Sequence, residues 1–102
     1  MKSYSVLLYR NQLEPETWYG IVPAIPAALS DGDSLTHALE MTTEALEVLL
    51  QYRLECDLPL PLDSFDFETA KENARALFDA GVELEFVVQQ VKLRFEVNSV
   101  AA

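Results

Sequence analysis

One cysteine, one histidine and three glycines among 102 residues close off several kinds of protein before any pattern is sought. A lone Cys56 leaves no disulfide within the chain, and with His37 as the sole histidine there is no Cys/His set for zinc. The glycines stand at 20, 32 and 81, too far apart for a phosphate-cradling loop. No apolar run approaches the ~18 residues of a membrane helix, and the start MKSYSVLLYR is too soon interrupted for a signal peptide, so the cytoplasm is the expected location. Basic residues are scarce: seven against seventeen acidic ones, a formal charge of −10. Such a surface repels phosphate backbones and disfavours direct nucleic-acid binding; it attracts a basic partner, or simply keeps the domain soluble.

Half of the residues are apolar and a tenth aromatic, which argues against a disordered chain. The length suits one domain, expected over residues 1–98 with 99–102 as a frayed tail. The chain is organised around Gly20 to Leu50. There Leu35, Ala38, Leu39, Ala45, Leu46, Leu49 and Leu50 recur at the spacing of a helix with one buried face. Gly32 suits a turn with positive φ, and Ser34 is the expected N-cap of a helix running to about Glu55.

Before it, residues 3–10 read as a central strand because they are apolar on both faces, and 11–16 as a hairpin loop. Residues 17–22 make a second strand, in which Gly20 marks a bulge or a close backbone approach. Pro23 and Pro26 bend the chain at a sheet edge, and Ala27 to Ser30 form a short third strand. After the helix, Pro59 and Pro61 favour an extended connector. A second helix follows, with Asp66 as N-cap, Phe67, Ala70, Ala74, Leu77 and Phe78 on one stripe, and Gly81 at its C′ position. In residues 82–97 the apolar set moves from Val82, Leu84 and Phe86 to Val87, Val91, Leu93, Phe95 and Val97. That slip predicts either a β-bulge or two consecutive strands. The expected fold is α+β, a three-stranded antiparallel meander, a long helix, a short helix and a final strand joining the sheet (β-β-β-α-α-β), with both helices on one face.

Few residues carry chemistry. Asp31 and Asp33 flank Gly32 and could ligate a hard cation, but Asp-Gly-Asp is ordinary turn composition. His37 reads as a helix-start residue, and the acids beside Cys56 argue against a reactive thiolate. Glu40, Glu44 and Glu47 stripe the polar face of the main helix, either as a solvated surface or as a docking site for lysines and arginines. Trp18 and Tyr19 are candidate apolar anchors. Phe86, Phe95 and Val97 belong to the last strand, which is expected to pair at a sheet edge, and are candidates for the contact of a homodimer or higher oligomer. No cofactor and no metal site is expected.

Gly20-Ile-Val-Pro23-x-x-Pro26, Gly32-Asp33-Ser34, Ala38-Leu39, Glu44-Ala45-Leu46 and the prolines of Leu58-Pro59-Leu60-Pro61 together resemble the HicB-type antitoxin domain, the UPF0150 group. The sequence departs from that pattern at Ala24, usually aspartate, at Ala27, often glycine, and at His37, usually a capping-box glutamate. Within these 102 residues no helix-turn-helix or ribbon-helix-helix pattern is read after the expected last strand. The resemblance implies a degraded ribonuclease-H-like fold and a non-catalytic role, the masking of a small basic, mRNA-cleaving toxin of HicA type. The alternatives are a metal-dependent nuclease using Asp31, Asp33 and glutamates of the main helix, and a regulatory oligomer without a toxin.

Overall fold

The computed structural model describes residues 2–63, 65–76 and 83–93. At its centre is β1 (Lys2–Asn11), which buries Tyr4, Val6 and Leu8 on one side and Leu7 and Tyr9 on the other. A strand apolar on both faces belongs inside a sheet. It pairs antiparallel with β2 (Trp18–Ile21), which pairs in turn with β3 (Leu29–Gly32). Helices α1 (Leu35–Glu55) and α2 (Phe67–Arg75) follow, and β4 (Leu84–Leu93) returns antiparallel along the free side of β1. The order across the sheet is β3-β2-β1-β4. The α+β class and the element order are those expected.

The proline spacing has a local cause. Ile25 N–H donates to Val22 O (3.0 Å) and Ala28 N–H to Ile25 O (2.8 Å), two successive turns with Pro23 and Pro26 each in the second position. Proline's fixed φ suits that position, and the missing amide is not needed there. The corner residues Val22, Ile25 and Ala28 are buried. These turns delay β3, which begins at Leu29 rather than Ala27, so Asp31 and Gly32 lie in the strand and not in a turn. Gly32 has no positive φ. It is required for space, because an added Cβ would stand 2.8 Å from His37 C and 2.9 Å from Ala38 Cα.

Ser34 caps α1, its Oγ accepting from His37 N–H at 3.0 Å. Ala38, Thr42, Leu46 and Leu50 are buried against the sheet; each leucine so buried contributes about 2 kcal/mol. The helix ends at Glu55 with Cys56 as its cap, and Asp57 beyond it takes φ 57°. Asp57 N–H donates to Leu54 O and Leu58 N–H to Arg53 O, the paired bonds of a Schellman ending.

The two helices do not share a face. Trp18, Val22, Ala38, Leu46 and Leu50 pack with Tyr4, Val6 and Leu8, whereas Ala70 and Ala74 of α2 pack with Leu7 and Tyr9 on the opposite side. The expectation of one covered face fails because β1 is apolar on both sides and each side needs a cover. The proline-containing connector carries the chain across. Leu60 packs on the α1 side and Phe65 on the α2 side. Between them Tyr4 Oη donates to Pro61 O (2.7 Å), and Asp63 accepts from Ser5.

The same two-sidedness removes the expected bulge. From Lys2↔Leu93 to Asn11↔Leu84 the β1–β4 register runs unbroken. Leu84 and Phe86 face α2, while Val87, Val91 and Leu93 face α1, so the change of phase records two packed faces of one strand. Asp66 caps α2 as expected, accepting from Glu68 N–H, Thr69 N–H and Thr69 Oγ1, which holds its carboxyl below the usual range. Leu77, Phe78, Gly81, Val82, Phe95, Val97 and residues 99–102 lie outside the described residues.

Candidate interaction surface

Glu40, Glu44 and Glu47 are exposed, because the opposite side of α1 is held in the core by Ala38, Thr42, Leu46 and Leu50. With Leu39, Thr43 and Val91 they line a shallow groove between α1 and β4. Among the described residues no ion pair engages these three carboxylates. None has a lysine or arginine four positions on, so no neighbour along the helix offsets their charge.

The other sequence candidates disperse. Trp18 is buried on the α1 side, with the Arg10 guanidinium 4.8 Å over its ring. Arg10 also pairs with Glu85 across the sheet and donates to Pro15 O (3.2 Å), which ties the hairpin loop to β1 and β4. Tyr19 faces the α2 side and stacks on Tyr9 at 5.5 Å. Alternation along a strand thus keeps Trp18 and Tyr19 from anchoring one partner together. Phe86 is half-buried in the α2-side cluster, edge-on to Phe67 at 6.0 Å, with Lys71 and Arg75 over its ring. That side chain packs within its own chain; what β4 offers a neighbour is its outer backbone edge.

Asp31 is exposed in β3. Asp33 reaches His37, whose Nδ1 lies 3.0 Å from Asp33 Oδ1 and 3.2 Å from Asp33 N. Among the described residues no three His, Cys, Asp or Glu side chains converge as a metal site would need. Cys56 is exposed at the end of α1, where its hydrogen bond with Tyr52 raises that phenol's pKa. Gly20 marks a close approach, not a bulge. A Cβ there would overlap the Thr42 hydroxyl and stand 3.2 Å from Leu8 Cδ2.

A cleft on the α2 side has no signature in the sequence. It has a volume of about 320 Å³ and lies between Tyr9, Ile21, Pro23, Pro26 and Leu29 of the sheet side and Ala70 and Ala74 of α2, with Asp66, Thr69 and Asn73 also lining it. Burial, with Tyr19 beside it, raises the Tyr9 phenol above the usual tyrosine value, so it stays protonated. Nothing local in the sequence joins residues 9 and 74; only the crossing of the connector does. No helix among the described residues is long and apolar enough to cross a membrane.

No family model matches this sequence, and no curated protein does. Among solved structures, the fold is similar to the crystal structure of the N-terminal domain of the Burkholderia pseudomallei antitoxin HicB. The TM-score is 0.56 over 83% of this chain and 94% of that one, at 19% identity. At that identity the likeness is one of fold.

Proposed function

We propose that this chain is a non-catalytic binding module of the antitoxin kind, which masks a small basic protein of HicA type that cleaves mRNA in the cytoplasm. The observation that carries the reading is the fold likeness to an antitoxin domain over 83% of this chain and 94% of that one. The formal charge of −10 and the open carboxylates of α1 support it, because a toxin surface shaped to hold RNA phosphates is basic and meets such a face favourably. The nuclease alternative gains no support from the placement of Asp31, in an edge strand, and of the α1 glutamates, on the solvent side. Two-metal cleavage requires carboxylates converging on the metals.

The same reading includes a homodimer. β4 and β3 are the sheet edges among the described residues, and the ten-residue β4 is the longer template for pairing with a second copy. The test of function is genetic. The open reading frame adjacent to this one, expressed alone, should arrest growth, and co-expression of this chain should relieve the arrest. A neighbour that is not toxic, or a toxic one that this chain leaves active, overturns the reading.

A further inference from the structure

Besides the face it buries, α1 carries a second apolar stripe. Met41, Ala45, Val48 and Tyr52 follow one another at intervals of four, three and four residues. That is the spacing by which one helix receives the knobs of another. On a helical projection the stripe lies about 110° from the centre of the buried face, so the sheet does not cover it. Val48 is 68% exposed, Tyr52 58% and Met41 36%. Single exposed apolar side chains are ordinary, but a run of them in one helical register is a surface.

The charges beside it select the occupant. Four glutamates of α1, at 40, 44, 47 and 55, are exposed, and Glu44 and Glu55 border the stripe directly on its solvent side. The helix's one arginine, Arg53, is turned to Pro59 O at 3.2 Å. Two copies of this stripe would bring Glu44 and Glu55 against their own kind, a like-charge contact that disfavours self-pairing. We propose that the Met41–Tyr52 stripe docks an amphipathic helix of a different protein, apolar along one seam and flanked by lysines or arginines. This rests on the binding-module reading and assigns it a surface distinct from Trp18 and Tyr19.

The test uses the full chain and two fluorescent lysine-rich peptides of identical composition, one with leucines at four-three-four spacing and one scrambled so that no seam forms. By anisotropy the seamed peptide should bind at least about tenfold more tightly than the scrambled one, as expected when central apolar anchors rather than charge alone hold a partner. In the doubly substituted chain Val48→Ser, Tyr52→Ser that advantage should vanish while circular dichroism is unchanged, since neither residue is in the core. Equal binding of the two peptides, binding of neither, or an undiminished advantage in the double variant overturns the proposal. So does a wild-type dimer that the double variant dissociates, which would give the stripe to a second copy. A double variant that relieves growth arrest as well as wild type removes the stripe and leaves the antitoxin reading standing.

Discussion

Asp63 grips Ser5 with both carboxylate oxygens, Oδ1 accepting from the backbone N–H and Oδ2 from the side-chain hydroxyl, each at 2.9 Å. β2 ends at Ile21, opposite Leu7, and so stops short of Ser5. A connector side chain therefore serves the central strand where its neighbour strand has run out. It does so at the point where the chain passes from one face of the sheet to the other. Asp63→Ala should orphan the amide of a residue only 2% exposed and cost about 1–3 kcal/mol in urea unfolding. A loss below about 0.5 kcal/mol would mean that water replaces the carboxylate without penalty.

Gly20 and Gly32 are small for different reasons, and rescue should separate them. Gly20→Ala meets the Thr42 side chain, so it should cost about 1–3 kcal/mol alone and considerably less on a Thr42→Ala background. Gly32→Ala meets the backbone of His37 and Ala38, which no side-chain trimming relieves. Additive losses in the Gly20/Thr42 cycle would contradict the contact.

Asp57, just past the cap of α1, takes φ 57°, a conformation that costs a residue with a Cβ more than it costs glycine. Asp57→Gly should raise stability by about 0.5–1 kcal/mol, read as a higher denaturant midpoint at constant m-value. A lower midpoint would show that the aspartate side chain itself contributes at the cap.

Burial, and then the Asp63 carboxylate, push the Tyr4 phenol above the ordinary tyrosine value, and burial does the same for Tyr9. A folded-state pKa above the unfolded one contributes stability that is complete below the unfolded pKa and is lost as pH rises through the folded one. Unfolding free energy should therefore hold level near neutrality and decline from about pH 10 upward. Tyr4→Phe should cost about 1 kcal/mol near neutral pH, for the lost bond to Pro61 O, and should flatten that decline. An unchanged alkaline slope in the variant would remove Tyr4 as its source.

Charge on α1 should act on encounter with a basic partner. Glu40→Lys with Glu44→Lys should slow association by at least about tenfold at low salt, with the difference shrinking as the Debye length falls to ~8 Å. Stopped-flow mixing with the basic toxin at two salt concentrations measures it. Wild-type association by the reversed chain would remove these glutamates from the approach surface.

Much of the local structure was legible in the sequence because its causes are local. Ser34 and Asp66 cap their helices through oxygens within three residues, the heptad-like spacing of α1 needs only its own turns, and Pro23 and Pro26 each set one turn. The two-sided apolar pattern of residues 3–10 also placed β1 at the centre of the sheet. The resemblance read from these motifs agrees with the fold likeness to an antitoxin domain.

What the tertiary structure alone decided is which face each element covers. The phase change in residues 82–97 has two local readings, a bulge or two consecutive strands, and among the described residues, 84–93, neither is found. One continuous strand packs on both sides because α1 and α2 cover opposite faces. That choice depends on the Asp57–Asp63 connector reaching across the sheet to Tyr4 and Ser5, contacts 57 and 58 residues apart in sequence. For the same reason Trp18 went into the core, Tyr19 went to the opposite side, and the cleft beside Tyr9 came into being. Periodicity reports that a face is apolar; which neighbour covers it is set by pairings between distant segments that no local window contains.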